Sequence, residues 1–230
     1  MAVWVCPHCP KKSAEKEIEK IQGLNRLYAF PCEPKFINSS LVILDSGAFG
    51  LSQSGGKINF KYMQRLSEHY EKYYRKNVLC VAPDEFANPE QSMMNFRNWH
   101  KKQLFPHISP VLQCERKNEI NIDSLKFQAD FYREKADTIF FSNAFLYGRH
   151  SKILKVEKVF EYCKQIGFKW VHCLGAGWDI EDVKIWAQMN CLDSFDSISY
   201  YTAKDVNAFG SLNPVENVKE IIKCIRELRE

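Results

Sequence analysis

The sequence predicts a mixed α/β fold, a compact (β/α)8 TIM-like barrel, and three observations lead to it. Eight short apolar runs alternate along the 230 residues with amphipathic stretches. Most of the runs are continuously apolar, which is typical of strands buried on both faces of a parallel sheet. Polar residues follow the runs, at the end where a parallel barrel carries its active site. Because such barrels typically need about 250 residues, a doubly wound open sheet is the structural alternative.

The eight strand candidates each span five residues. They cover residues 2–6, 26–30, 41–45, 78–82, 109–113, 138–142, 170–174 and 195–199. Cys80 and Cys173 lie inside these runs, where a reduced cysteine behaves as a small apolar residue. Because the nine cysteines are scattered along the chain, we expect reduced thiols rather than a disulfide framework.

Helical periodicity appears between the strand candidates and after the last one. It predicts helices over residues 13–23, 60–76, 88–103, 124–135, 155–166, 179–189 and 214–228. Asn88 before Pro89 is typical of a cap followed by a first-turn proline, and the acidic residues at 179–182 suit the positive end of a helix dipole. No internal repeat or linker divides the chain, so we predict a single domain over residues 1–230.

The composition limits the classes of partner. The net charge of +4 and the isoelectric point near 8.5 permit a polyanionic partner without requiring one. No apolar run approaches the roughly 18 residues needed to span a bilayer. The first six residues are too few for the apolar core of a signal peptide. We therefore expect a cytoplasmic protein without a membrane partner.

Polar side chains end or closely follow four of the predicted strands, and another lies within the eighth. They are Asp45, Asp84, Gln113, Asn143 and Asp196. Because the carboxyl ends of parallel strands meet on one rim of a barrel, we expect these side chains to converge. Taken singly, Asp45 can cap a turn and Asp84 can begin a helix. Three carboxylates in one pocket repel one another and are costly to bury, so their joint placement predicts a chemical role.

Several segments resemble the motifs of one enzyme family. Residues 44–49 read Leu-Asp-Ser-Gly-Ala-Phe and resemble the Asp-Ser-Gly-Gly-Phe-Gln motif of the tRNA-guanine transglycosylases. Asp84-Glu85, with Ser-Met at 92–93 and Arg-Asn-Trp at 97–99, is similar to that family's Asp-Glu-Cys segment and the helix after it. Val-Leu-Gln at 111–113 is similar to its Ile-Val-Gln.

The last part of the resemblance lies near the end of the predicted sheet. Residues 173–177, 179–180 and 195–197 resemble the family's Leu-Met-Gly-Val-Gly, Asp-Leu and Phe-Asp-Cys stretch. The order and spacing of the motifs agree over residues 41–200. The resemblance implies a (β/α)8 barrel that exchanges guanine in a nucleic acid for a 7-deazaguanine base.

The resemblance also implies roles for individual residues. Asp196 aligns with the covalent nucleophile, and Asp45 aligns with the general acid and base. Asp84 and Gln113 align with positions that recognise the base. Apart from the resemblance, Phe49 is a candidate to stack on the base, with packing in the core or at the rim as the alternative. The further substrate-binding positions are Ser46, Gly47, Asn143, Gly175 and Gly177.

Elementary chemistry agrees with these roles. Cleavage of an N-glycosidic bond builds positive charge on the sugar, which a carboxylate such as that of Asp196 can trap covalently. A second carboxyl group, that of Asp45, can carry the proton of the base. An ionised Asp84 is an acceptor only, which suits the N1–H and amino group of guanine. This chemistry requires no metal and no redox cofactor.

The sequence departs from the family pattern in places that bear on the substrate. Ser142-Asn143 replaces a Gly-Gly pair after the sixth strand, so base selection is expected to differ. The tRNA enzymes of the family usually carry a C-terminal zinc insertion with the pattern Cys-x-Cys-x-x-Cys followed by His, whereas Cys224 is the only cysteine after Asp196 in this sequence. We therefore expect the zinc insertion to be missing, as in the short DNA-guanine transglycosylases of phages and modification islands.

This comparison favours DNA as the partner and the host cytoplasm as the location if the chain is phage-encoded. A duplex substrate requires the target nucleotide to be flipped out of the helix. Two alternatives stay open, namely a queuine-type exchange on tRNA and a non-catalytic barrel subunit that binds nucleic acid. An aspartate at position 196 argues against the second alternative.

Two further motifs carry weaker predictions. Cys6 and Cys9 have zinc-like spacing, but a tetrahedral site needs two more ligands and the nearest cysteine is Cys32. We interpret the Cys6–Cys9 motif as a strand end followed by a turn, and we predict no metal or other cofactor. Arg149 and Lys152 follow the sixth strand and are predicted to contact phosphates; a solvated loop is the alternative.

Overall fold

The computed structural model describes residues 2–5, 16–18, 20–21, 24–36, 41–115, 120–142, 150–176, 179–197 and 206–229. At 2–5, 150–154, 206, 209 and 229 the description covers the backbone alone. Within this part of the chain nine parallel strands form one sheet. They are β1 Ala2–Val5, β2 Asn25–Ala29, β3 Val42–Asp45, β4 Val78–Val81, β5 Ile108–Ser109, β6 Val111–Leu112, β7 Thr138–Ser142, β8 Trp170–Leu174 and β9 Ser194–Ser197.

The helices of the described residues alternate with most of these strands. They are α1 Ala48–Gln53, α2 Phe60–Tyr73, α3 Pro89–Lys101, α4 Ile122–Arg133, α5 His150–Gln165, α6 Ile180–Gln188, α7 Val206–Phe209 and α8 Pro214–Arg229. Residues 16–18 are also helical. None of these helices combines the length and the apolarity needed to cross a membrane.

The strand order of the sheet is β5-β4-β3-β2-β1-β9-β8-β7-β6. Its two end strands, β5 and β6, are consecutive parts of residues 108–112 and are separated only by Pro110. Pro110 has no N–H group, and the hydrogen bonds divide around it. On one side Ala82 N donates to Ser109 O at 2.8 Å, and on the other Phe140 N donates to Pro110 O at 2.9 Å. One short segment therefore pairs with both β4 and β7.

Both faces of the sheet are buried, as the continuously apolar runs predict. A smaller cluster gathers alternate residues from five strands, namely Leu27, Ile43, Val81, Val111 and Phe140. The intervening residues join a larger cluster with the helices; examples are Tyr28, Leu44, Cys80, Leu112 and Phe141. Because successive side chains of a strand point to opposite faces, each of these strands supplies both layers of the core.

Side-chain caps fix the starts of several helices. Asn59 Oδ1 accepts from Tyr62 N at 2.9 Å at the start of α2. Asn88 Oδ1 accepts from Gln91 N at 3.0 Å ahead of Pro89, which confirms the predicted start of α3. Asp179 Oδ1 accepts from Asp182 N at 2.8 Å and begins α6 as predicted. These caps satisfy amide groups that have no partner inside the helix.

The structure differs from the sequence-based expectation at several helix boundaries. Helix α4 begins at Ile122, because Asn121 rather than Ser124 supplies the cap. Helix α5 begins at His150 instead of 155, so position 152 lies in its first turn and not in a loop. Helix α1 was not predicted, since it has six residues and includes Gly50. Of the predicted helix over 13–23, residues 16–18 are helical and most of the rest lies outside the described residues.

Candidate active site

Asp45 is the last residue of β3, and its side chain shares a face of the sheet with Ile43. Its Oδ2 accepts a hydrogen bond from Gly47 N at 3.0 Å. Burial, with a further contribution from the Asp196 carboxylate, raises the pKa of Asp45 to about 6. A carboxyl group with this pKa can both give and take a proton near neutral pH.

Gly47 makes the turn after Asp45 possible. Its φ of +71° lies in the left-handed region, and a Cβ atom at this position would lie 2.4 Å from the carbonyl oxygen of Phe30. The turn buries Ser46, whose Oγ donates to Asp84 Oδ1 at 3.3 Å and accepts from Ala48 N at 3.3 Å. The serine therefore joins the end of β3 to the segment after β4.

Asp84 and Gln113 form a second part of the site. Gln113 Nε2 donates to Asp84 Oδ2. Burial, assisted by the charge of Asp45, raises the pKa of Asp84 to about 7. Gln128 holds the backbone of Gln113 from both sides, because its Oε1 accepts from Gln113 N at 2.9 Å and its Nε2 donates to Gln113 O at 2.9 Å.

The side-chain oxygen of Gln113 is a buried hydrogen-bond acceptor that lacks a donor. Gln113 is fully buried, and within the described part of the chain its Oε1 has no hydrogen-bond partner. A buried acceptor without a partner costs free energy, which a ligand N–H recovers when it binds. This atom and the Asp84 carboxyl group are acceptors suited to a ligand that carries several N–H groups.

Asp196 lies on β9 with 9% of its surface exposed. Its Oδ1 accepts from Gly175 N at 3.0 Å and lies 3.1 Å from His172 Nε2. On the other side of the ring, His172 Nδ1 lies 2.6 Å from Ser194 Oγ. Ser194 Oγ also accepts from Trp170 Nε1 at 2.8 Å. Burial lowers the pKa of His172, so the ring is neutral at neutral pH.

His172 is a site residue that the sequence does not predict. The ring is fully buried and packs against Phe140, with centroids 5.0 Å apart. The available signal was its place in β8, two residues from Trp170 and two from Leu174, which lie on the face of the sheet that carries the smaller core cluster. A histidine inside an apolar run is usually a core residue, so this signal is weak without the contact to Asp196.

The three carboxylates influence one another electrostatically. The charge of Asp196 adds to the raised pKa of Asp45, and the charge of Asp45 adds to that of Asp84. No lysine or arginine of the described residues forms an ion pair with any of them. Like charges that are buried together without a cation favour partial protonation, which suits proton transfer.

Other predicted residues lie near this group or outside the described residues. Phe49 is half exposed on α1 and meets the edge of Phe86, with ring centroids 5.1 Å apart. Glu85, next to Asp84, is anchored because its N–H donates to Ser92 Oγ at 2.8 Å. The predicted positions outside the described residues are Cys6, Cys9, Asn143, Arg149, Gly177 and the side chain of Lys152.

The described residues include a cavity but no cluster of metal-binding side chains. The described residues contain no group of three or more His, Cys, Asp or Glu side chains that could hold a metal ion. A cavity of about 490 Å³ lies between α3 and α4, and Arg97 and Phe131 are among its lining residues. Asp45, Asp84 and Asp196 do not line this cavity.

No protein-family model matches this chain, and no curated protein is significantly similar to it in sequence. The resemblance to the guanine transglycosylases therefore stays a prediction.

Proposed function

We propose that the chain is a pentosyltransferase that exchanges guanine in DNA for a 7-deazaguanine base through a covalent aspartyl–sugar intermediate. One observation carries the proposal. The Asp45 carboxyl group lies within electrostatic range of both Asp84 and Asp196, and each of the three has a different environment: Asp196 has fixed donors, Asp45 has a pKa of about 6 and Asp84 is paired with Gln113. Carboxyl groups in different environments are typical of active sites in which one acts as the nucleophile, one as the acid and one in substrate recognition.

We also infer that the fold is a (β/α)8 barrel. The pairing of residues 108–112 with both β4 and β7 supports closure, since it makes the strand order cyclic. The smaller core cluster supports it as well, because a barrel needs one set of alternate residues to fill its interior. On this arrangement Asp45, Gln113 and Asp196 stand at the carboxyl ends of strands, where barrel active sites lie.

The first half of the proposed reaction releases guanine. A carboxylate oxygen of Asp196 attacks C1′ of the target nucleotide while the bond from C1′ to N9 breaks. The electron pair of that bond passes to guanine, which takes a proton from the Asp45 carboxyl group. The products are an aspartyl ester of the sugar, neutral guanine and an ionised Asp45.

The second half reverses these steps with a different base. The Asp45 carboxylate removes the N9 proton of the incoming 7-deazaguanine, and N9 attacks C1′ from the face that guanine vacated. Asp196 leaves as a carboxylate, and Asp45 is protonated again. Two displacements at C1′ retain the configuration of the sugar.

Base recognition is assigned to Asp84 and Gln113. An ionised Asp84 accepts from N1–H and from the exocyclic amino group, which all guanine-type bases share. Gln113 adds the open acceptor Oε1. Phe49, which is half exposed and packs against Phe86, is assigned to cover the ring of the base. The proposed contacts of Asp84 and Gln113 do not distinguish guanine from its 7-deaza relatives, and an exchange reaction requires a site that accepts both bases.

An exchange assay tests this proposal. The protein is incubated with labelled guanine or a labelled 7-deazaguanine, together with duplex DNA, single-stranded DNA or unmodified tRNA. We expect incorporation into DNA that is abolished in Asp196→Asn and kept in Glu68→Gln, which alters an exposed carboxylate on α2. Incorporation into tRNA alone replaces the DNA assignment with the tRNA alternative. Binding of nucleic acid without any exchange indicates the non-catalytic subunit instead.

A further inference from the structure

A chain of four side chains ends at the proposed nucleophile. Trp170 Nε1 donates to Ser194 Oγ at 2.8 Å, Ser194 Oγ lies 2.6 Å from His172 Nδ1, and His172 Nε2 lies 3.1 Å from Asp196 Oδ1. Trp170, His172, Ser194 and Asp196 occupy alternate positions on the adjacent strands β8 and β9. Because side chains at alternate positions share a face, the pairing of the two strands holds the chain together.

The hydrogen-bonding capacities of these groups determine the tautomer of His172. An ionised Asp196 only accepts, so His172 Nε2 must carry the hydrogen that lies between them. In a neutral ring Nδ1 is then an acceptor, which receives the single hydroxyl hydrogen of Ser194. Ser194 Oγ can still accept from the Trp170 indole, which is a donor only. Every group in the chain is satisfied by this one arrangement.

The arrangement distinguishes the two oxygens of Asp196. Both donors, His172 Nε2 and Gly175 N, bind Oδ1. Oδ2 receives no hydrogen bond from any residue that the structure describes. A carboxylate held at one oxygen keeps the lone pairs of the other oxygen available for attack.

We propose that His172 is a positioning residue for the nucleophile, which holds Oδ1 of Asp196 so that Oδ2 is the oxygen that attacks the sugar. The inference rests on the proposed function, because it concerns how that reaction's nucleophile is oriented. The physical effect is preorganisation, since a buried carboxylate that is fixed before substrate binds needs no reorientation in the transition state. The hydrogen bond from Ser194 to Nδ1, itself supported by Trp170, fixes the ring so that its Nε2–H group points at Asp196 Oδ1.

Three substitutions separate this role from simple packing. In His172→Gln the side-chain amide keeps a donor for Asp196 and an acceptor for Ser194, whereas His172→Phe keeps the ring volume and removes both. Ser194→Ala removes the group that selects the tautomer. His107→Gln, which alters an exposed histidine on another surface, is the control.

We expect kcat for base exchange to fall about 100-fold in His172→Phe and tenfold or less in His172→Gln. KM for the base is expected to stay within about twofold, because His172 does not contact the base in this account. Thermal melting of each variant tests whether it is folded. If folded His172→Phe keeps the wild-type kcat, or if its loss appears in KM alone, the positioning role is wrong.

A second measurement does not depend on catalysis. The ¹⁵N NMR shifts of the His172 ring, assigned by their loss in His172→Gln, report the tautomer at pH 7. We expect a protonated Nε2 and an unprotonated Nδ1, and a change of this pattern in Ser194→Ala. A doubly protonated ring or an Nδ1–H tautomer overturns the inference. A wild-type protein with the expected tautomer but no exchange activity indicates instead that the proposed function has failed.

Discussion

Gln113 donates from Nε2 to Asp84 Oδ2 while its own Oε1 is buried without a partner among the described residues. Gln128 holds the backbone of Gln113 on both sides, and the hydrogen bond to Asp84 holds its side-chain nitrogen, so Oε1 has a fixed position relative to the Asp84 carboxyl group. Asp84 and Gln113 therefore present acceptor atoms in fixed positions, and Gln113 Oε1 lacks an N–H donor. A buried acceptor without a donor raises the free energy of the empty protein, and a ligand N–H that binds there lowers it.

The first prediction concerns this open acceptor. Gln113→Leu removes both the donor to Asp84 and the acceptor for a base, so we expect the Kd for guanine to rise about 10- to 100-fold, as loss of a buried hydrogen bond implies. Isothermal titration calorimetry measures the change. Gln91→Leu, at a partly buried glutamine of α3, is the control and is expected to leave the Kd unchanged. Unaltered guanine binding in Gln113→Leu excludes this residue from base recognition.

The second prediction is a pH dependence of base binding. Because the pKa of Asp84 is about 7 in the empty protein, the ionised form that accepts from guanine becomes fully populated only above this pH. Guanine should therefore bind about tenfold more tightly at pH 8 than at pH 6. The dependence should vanish in Asp84→Asn, which cannot titrate. Binding that weakens with rising pH contradicts the assigned role.

The third prediction concerns stability. The pKa values of Asp45 and Asp84 are raised in the folded protein to about 6 and about 7. The folded state therefore holds more protons than the unfolded state between about pH 4 and pH 7, and stability falls as the pH rises through this window. Asp84→Asn removes one of the buried charges, so we expect it to raise the free energy of unfolding at pH 8 by about 2 kcal/mol.

Urea denaturation at pH 5 and pH 8 measures this effect. The gain in Asp84→Asn should be smaller at pH 5, where the wild-type carboxyl group is largely protonated. Glu68→Gln, at an exposed carboxylate, should change stability little at either pH. An Asp84→Asn protein that is less stable than the wild type at pH 8 would falsify the claim that the buried Asp84 carboxylate lowers the free energy of unfolding.

The fourth prediction uses two glycines of the same segment. Gly47→Ala forces a side chain into the left-handed region and toward the Phe30 carbonyl oxygen, so we expect a loss of about 2 kcal/mol or more in stability. Gly50→Ala meets no atom within 4 Å and lies in helix α1, so it should be neutral or slightly stabilising. Thermal melting compares the two variants, and equal melting temperatures refute the steric argument.

Much of the fold was accessible from the sequence because strands buried on both faces leave continuous apolar runs. Within the described residues each of the eight predicted runs overlaps a strand, with ends that differ by a residue or so, and the fifth run is divided at Pro110. The grouping of Asp45, Asp84 and Asp196 was predictable too, since parallel strands bring their carboxyl ends together. Helix α1 was not, because six residues that include Gly50 give no periodic signal.

The sequence does not predict the contacts that complete the site. Gln128 lies on α4 and holds Gln113 through tertiary packing, which leaves no mark in the local sequence. His172 lies in an apolar run, where periodicity identifies only its face of the sheet and not its contact with Asp196. Sequence spacing thus located the carboxylates, whereas the groups that orient them required the three-dimensional structure.

The central claim is that Asp196 forms a covalent bond to the sugar, and mass spectrometry of a trapped intermediate tests it most directly. Protein is incubated with an oligonucleotide substrate without an incoming base, denatured and digested. The account predicts a peptide that contains Asp196 with an added deoxyribose-linked oligonucleotide and an equimolar release of guanine. Release of guanine with no adduct, or an adduct on another residue, would contradict the account.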